Sequence, residues 1–398
     1  MNGSKPPHQS LTARWATSAG LLDACADILA ERPGVAPPRW ARARGWADFL
    51  TGLDDDALLR CEIDGLAPHA DALGAPADLR ALVVDASVAC RLPPFAPGVR
   101  AGPSHRVKAR KRQQIAAFAA AVADMPAGRV VDVGAGHGHL TRHLVEALGV
   151  DGVGLEREPA HVATARSLAG AGARFEVVDL FAEAPAFAAD DLVVGLHACG
   201  ALTDRLVVCA AEAGAALAYV SCCLHKRPEG RRAPLVTDGP LGDRPLARDI
   251  LGLGNINLGP RGVEASHAEN VAARDRRAGL RALLRSRGCD VAPGDEMRGI
   301  NRRRSQAPFA DFVARVLERR GLAPATAAEL THFEAAGRRD NRAVRRWSIG
   351  RRWLGRVIEV FVNCDRALYL ERRGYRVELG VLWPLAVSPR NVAVIAAR

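Results

Sequence analysis

The residues that could do chemistry gather at three places. The first is RVVDVGAGHGH at 129–139, an apolar run that ends in glycines spaced G-x-G-x-G. The second is His197-Ala198-Cys199-Gly200, and the third is Cys222-Cys223-Leu224-His225-Lys226. Glycines after a strand let backbone approach a bound ligand closely, and an acid ending the next strand, here Glu156, accepts both hydroxyls of a ribose. Asp132 is an awkward neighbour for a pyrophosphate but suits a cationic aminoacyl tail. Ribose, adenine and an aminoacyl tail together describe S-adenosylmethionine. The expected cofactor contacts are Asp132, Gly134, Gly136, Gly138 and Glu156. Asp179 and the Leu180 amide would stand at the adenine edge, and His197 would lie close by.

These groups need a frame that brings them to one edge. From residue 129 the sequence alternates short apolar runs with helical stretches. Runs at 129–134, 152–156, 174–180, 191–197 and 217–223 read as strands. Runs that are apolar throughout fit a parallel sheet covered on both faces. Ligands of such sheets sit beyond the carboxyl ends of the strands. A helix at about 353–373 and two last strands, at 375–383 and 391–398, close the domain. The expected fold class is α/β, a class I methyltransferase Rossmann-like sheet with a helical N-terminal domain and a basic, largely helical insertion after the fifth strand. Residues 1–100 read as the N-terminal helices and linker, with helices over 12–90 and Pro/Gly-rich chain at 92–103. Residues 101–226 read as the first part of the sheet domain, 227–352 as the insertion and 353–398 as the closing elements.

Composition narrows the classes further. Among 398 residues, 48% are hydrophobic and 25% charged, as in globular chains. No apolar run is long enough for a bilayer span, the first ten residues lack a signal-peptide core, and nine scattered cysteines form no disulfide frame. A reducing cytoplasm is the expected location, with no membrane partner. The net charge of +11 is uneven: residues 227–355 carry +11, residues 356–398 carry +3, and the rest is slightly acidic. Arginine outnumbers lysine, a bias that a GC-rich genome explains. The confinement of the charge points to a nucleic-acid-facing surface, although the same arginines could pair with the insertion's own acids. RGINRRRSQ at 298–306, the arginine-rich 337–353 with Trp347 and Trp353, and the basic 105–112 are the expected contacts to structured RNA.

Several linked motifs resemble one family. VVGLHACGALTD (193–204), VSCCLHK (220–226), RVIEVFVNCDRALYLERRGY (356–375), SPRNVAVIAAR (388–398) and VKARKRQQI (107–115) are similar to the methyltransferase-like 25 family. That family is related to a tRNA 2′-O-ribose methyltransferase with a His-x-Cys-Gly element and a Cys-Cys pair. The likeness covers about 105–226 and 353–398. It implies the fold and S-adenosylmethionine more firmly than a substrate. His137 and Leu224 depart from the family pattern, which more often has a lysine and an aromatic ring at these positions.

Three chemistries fit the groups at the ends of the fourth and fifth strands. Oxygen methylation would use His197 or His225 as a base, with Lys226 stabilising a developing alkoxide. Pyrimidine C5 methylation would use Cys199 and Cys222 covalently, but the usual aspartate and proline around the first cysteine are absent. A metal site could draw on His197, Cys199, Cys222, Cys223 and His225, although adjacent cysteines rarely both point inward from a strand. The element HACG disfavours exocyclic-amine methylation, which often uses Asn/Asp-Pro-Pro-aromatic. Protein methylation and a non-catalytic cofactor- or RNA-binding scaffold are the rival functions.

Overall fold

The computed structural model describes residues 10–95, 107–183, 185–239, 244–255 and 267–398. The N-terminal nine residues, most of the 92–103 linker, and His105 and Arg106 of the basic stretch lie outside them. The described chain forms two compact units. One takes the described residues of Met1–Ala26, Leu82–Asn257 and Trp353–Arg398, the other those of Asp27–Ala81 and Leu258–Arg352.

The first unit is built on a seven-stranded sheet. Its strands are β1 (Arg129–Val133), β2 (Asp151–Glu156), β3 (Ala173–Val177), β4 (Asp191–Cys199), β5 (Ala216–Cys222), β6 (Arg376–Val381) and β7 (Val392–Ala397). Their order is β3-β2-β1-β4-β5-β7-β6. β1 to β5 pair in parallel, and β7 inserts antiparallel between β5 and β6. β5 is buried at every position, as its unbroken apolar run requires when both sheet faces are covered. Ile115, Phe118, Leu144, Val194, Val220 and Trp383 share one core. The helix Leu354–Glu371 packs on the helix Leu11–Ala24, with Trp15 stacked on Phe361 at 6.0 Å between ring centroids. The order reverses direction between β1 and β4, which is where an open parallel sheet makes its ligand crevice.

The second unit is helical. The helices His267–Ser286 and Ala327–Arg352 approach so closely that their backbones touch. A Cβ on Gly337 would lie 2.4 Å from the Asp275 carbonyl oxygen, and one on Gly279 would lie 2.4 Å from that of Phe333. Leu280, Leu283, Phe312, Val313 and Val316 form the core of this unit. Glu62, only 1% exposed, is ringed by Arg345 at 3.0 Å, Arg352 at 3.1 Å and His267 at 2.7 Å. Asp54 caps its helix as the acidic run 54–56 suggests, accepting the Ala57 amide at 2.7 Å.

This division differs from the one read along the sequence. The N-terminal helices are shared between two units, and residues 27–81 join 258–352 instead of 1–26. Periodicity shows which face of a helix is apolar but not what covers it. Trp40 finds its cover on the distant Gly350.

The basic segment is also corrected in part. Arg345, Arg351 and Arg352 are buried, and Arg346 donates to the Leu53 carbonyl at 2.9 Å. Trp347 and Trp353 are buried too, at 3% and 8% exposure, so neither ring is free to stack on a base. Arg298, Arg302, Arg303, Arg304, Arg338 and Arg339 stay exposed. No helix among the described residues is long and apolar enough to cross a membrane.

Candidate active site

β1 ends at Val133, and Gly134, Gly136 and Gly138 follow with φ of 75°, 57° and 71°. This region of backbone space is open to glycine and costly for most other residues. The Gly134 amide donates to the Leu155 carbonyl at 2.8 Å, which pins the turn to the end of β2. The Glu156 carboxylate accepts the Gly136 amide at 2.9 Å and the Glu158 amide at 3.1 Å. A carboxylate has about four acceptor positions, so roughly two remain for hydroxyls of a ligand. Asp132 is 2% exposed and accepts the Thr141 hydroxyl at 2.7 Å. Burial pushes its carboxyl up to about 6, against the pull of Thr141 and Lys111. Asp179 and Leu180 lie just past β3. The Asp179 carboxylate accepts the Phe181 amide at 2.9 Å, and the Leu180 carbonyl accepts from Arg205 at 3.1 Å.

At the end of β4 the register to β5 shifts between Leu196 and Ala198, and His197 takes a φ of 70°. A left-handed non-glycine residue at a strand end is strained, and such strain collects at functional sites. Its ring meets Gln114 through Nε2 at 3.1 Å and lies edge-on to Trp383. Burial pulls the imidazole down to about 4, so it is neutral near pH 7. With the Gln114 amide oxygen facing it, Nε2 would carry the proton and Nδ1 would be the acceptor nitrogen.

The same turn gathers the thiols. The His197 carbonyl accepts from Cys199 at 3.4 Å and from Cys222 at 3.2 Å, and the two sulfurs are 3.1 Å apart. Cys223 has a φ of 44°, which turns the chain so that all three sulfurs lie within 4.8 Å of one another. Hydrogen bonding to Cys199 and Cys223, then burial, pushes the Cys222 thiol far up.

His225 accepts at Nδ1 from the Asn255 amide nitrogen. The Asn255 oxygen is taken by Arg390 at 3.1 Å, and because arginine only donates, the amide orientation is fixed. His225 therefore presents Nε2–H, a donor. The Lys226 side chain is exposed.

Gly200, at a φ of 54°, sits under this loop. Its amide donates to the Cys222 carbonyl at 3.1 Å, and a Cβ there would lie 2.0 Å from the Lys226 carbonyl oxygen. Gly200→Ala should lose about 1–2 kcal/mol to backbone strain alone and expel residues 223–226 from their place. Thermal unfolding should shift down, and Cys223 should react faster with a thiol reagent. An unchanged melting point and thiol reactivity would show that the loop adapts.

Lys111, expected on sequence to face RNA, is half-buried, and burial lowers the basicity of its ammonium while the Asp132 carboxylate opposes the shift. Sequence reasoning missed Gln114, Thr141 and Arg366. Arg366 is fully buried and joins Asp204 at 2.8 Å, the Ser221 hydroxyl at 2.8 Å and the Gly200 carbonyl at 3.1 Å. In the sequence the Asp365-Arg366 pair stands out only as part of the family resemblance.

Residues 110–228 match a family described as Methyltransferase domain. The chain is similar to the sugar N-methyltransferase KedS8 from a Streptoalloteichus species, at 26% identity over 32% of this chain and 57% of that one, TM-score 0.25. It is similar to a SAM-dependent methyltransferase from Geobacter sulfurreducens in complex with S-adenosyl-L-homocysteine, at 17% over 29% and 51%, TM-score 0.25. It also resembles a TehB-like SAM-dependent methyltransferase from Corynebacterium glutamicum, at 19% over 27% and 60%, TM-score 0.23. The chain spans little more than half the length of these structures. The match over 110–228 makes this stretch similar to a methyltransferase domain, and the seven-stranded sheet with its order β3-β2-β1-β4-β5-β7-β6 is that of the class I methyltransferase fold.

Proposed function

We propose that the protein is a methyltransferase acting on structured RNA, at an oxygen such as the ribose 2′-hydroxyl. The cofactor supplies an electrophilic methyl on sulfur. Glu156 would hold the ribose hydroxyls, Asp132 the ammonium of the tail, the turn Gly134–Gly138 the chain between them, and Asp179 with the Leu180 amide the adenine edge. The cofactor fits this donor set: two carboxylates of fixed position, one buried, beside a turn with glycine at 134, 136 and 138.

In oxygen methylation a C–O bond forms, the S–C bond breaks, and the hydroxyl proton must leave. His197 Nδ1, the ring nitrogen not engaged with Gln114, would take that proton. Its low basicity makes the help modest, so alignment of acceptor and methyl carries most of the rate. His225, through Nε2–H, and Lys226 would orient the acceptor or stabilise the developing charge. The thiols of Cys199 and Cys222 hydrogen-bond to one another and to the His197 carbonyl, which disfavours either as the free nucleophile of the covalent pyrimidine reading.

The RNA reading rests on the exposed Arg298 and Arg302 to Arg304. Arg304 also lines, with Arg315, Arg319, Asn301 and Glu318, a groove of about 490 Å³. Phosphate contacts are made by such clusters and carry affinity with little sequence information. The resemblance to the methyltransferase-like 25 family and its tRNA ribose-methylating relatives supports the same substrate class.

Tritiated methyl transfer into RNA and protein fractions of a deletion-strain lysate tests the reading. Label should enter RNA. Label in protein alone would replace this substrate with a polypeptide, and none in either would favour a binding scaffold.

Cofactor affinity should also depend on pH through Asp132. Its carboxyl titrates near 6 in the free protein, and an ammonium beside it would favour the charged form. Affinity should plateau above about pH 7 and fall up to tenfold per unit as pH drops below about 6. Calorimetry from pH 5 to 8 reads it, and a flat profile would remove Asp132 from the tail site.

A further inference from the structure

We infer that Cys199, Cys222 and Cys223 form a binding site for a soft divalent cation, zinc above all. The sequence argues against this, because neighbouring residues of a strand point to opposite faces. The structure removes the objection. β5 ends at Cys222, and the left-handed φ of 44° at Cys223 breaks the alternation, so the next sulfur swings back to the same side. Cys199 arrives from the parallel β4, registered opposite Cys222. Among the described residues this is the one place where three or more metal-ligand side chains converge.

The spacing suits a metal. Zinc–sulfur bonds of about 2.3 Å in a tetrahedron place sulfurs about 3.8 Å apart. The Cys199–Cys222 pair, at 3.1 Å, needs to open by less than about 1 Å to reach that value. The thiols are half-buried or buried, and their hydrogen bonds run to one another and to a single carbonyl, that of His197. Neither His197 nor His225 is among the side chains that converge here. Three protein ligands leave a fourth position open, the arrangement of catalytic rather than structural zinc. The three cysteines stand at the carboxyl ends of β4 and β5, where an acceptor oxygen or nitrogen would sit. The cation is thus placed to bind the acceptor atom and lower its proton affinity.

The test uses the full chain, reduced and stripped of metal, titrated anaerobically with Co²⁺ and then Zn²⁺. One equivalent of Co²⁺ should give a thiolate charge-transfer band that Zn²⁺ abolishes. Cys199→Ser and Cys223→Ser should each weaken binding at least tenfold, and Cys289→Ser should not. Because a variant could fail to fold, bound Zn²⁺ is also tested on the unmodified chain. It should protect Cys199, Cys222 and Cys223 from alkylation while leaving Cys289 reactive. No band, a band indifferent to Cys199→Ser, or no selective protection would overturn the site. S-adenosylhomocysteine binding, measured on the same samples, reports separately on the methyltransferase reading.

Discussion

Glu156→Ala should abolish measurable cofactor binding, raising the dissociation constant at least about 100-fold. Each hydrogen bond from a ligand hydroxyl to a carboxylate is worth about 1.5–3 kcal/mol, and two are expected here. A loss of about 3 kcal/mol or more corresponds to a factor of 100 or greater. The truncation also frees the Gly136 and Glu158 amides that the carboxylate now holds. The turn would then lose part of its preorganisation as well as its ligand contacts. Glu156→Gln separates the two effects. Its amide oxygen can keep one amide contact but offers the ligand a weaker, uncharged acceptor, so about a tenfold loss is expected. Calorimetry with S-adenosylhomocysteine gives both values. Equal affinity in all three proteins would remove the ribose from Glu156 and with it the cofactor's placement.

The part of the site that could be read in the sequence is the part that is local. Gly134, Gly136, Gly138 and Glu156 belong to one strand-turn-helix-strand unit, so spacing alone relates them. The strands β1 to β5 announce themselves as apolar runs. β3 is an exception in extent: it ends at Val177, and Asp179 and Leu180 belong to the turn beyond it. What the sequence hid is non-local or conformational. Gln114 reaches His197 across 83 positions, and Arg366 reaches Asp204 across 162. No periodicity relates such pairs. The left-handed conformations of His197 and Cys223 are equally invisible, because neither residue type advertises them. They decide which way the histidine carbonyl and the third sulfur point. The burial of Trp347 and Trp353 follows the same logic, since an arginine-rich helix reads as a surface until its partners are known.

Asp204→Ala should be the most destabilising single change in the sheet unit, costing about 3–5 kcal/mol. Its carboxylate gathers Arg227 at 2.9 Å, Arg232 at 3.0 Å and Arg366 at 2.8 Å. Arg232 and Arg366 are themselves buried, so removing the acid leaves cations in a low-dielectric setting with only part of their compensation. Arg232 keeps Asp365 at 2.6 Å, and Arg366 keeps Ser221 and the Gly200 carbonyl, which bounds the loss. Burial alone would raise the Asp204 carboxyl, but Arg232 and Arg366 outweigh it and hold the group well below the usual carboxylate range. A depressed folded-state pKa means the stabilisation is complete above the unfolded value, about 3.9, and is lost as pH falls through the folded one. The stability gap between wild type and Asp204→Asn should therefore be constant from pH 8 to about 5 and shrink only below about 4. Denaturant unfolding followed across that range reads the gap. A gap that closes near neutral pH would mean the acid is not held ionised by these arginines. Because Arg366 also holds the Gly200 carbonyl and the Ser221 hydroxyl, the same variants should slow methyl transfer before they unfold. Arg366→Lys should do so too: a single ammonium cannot reach three acceptors that a planar fork spans.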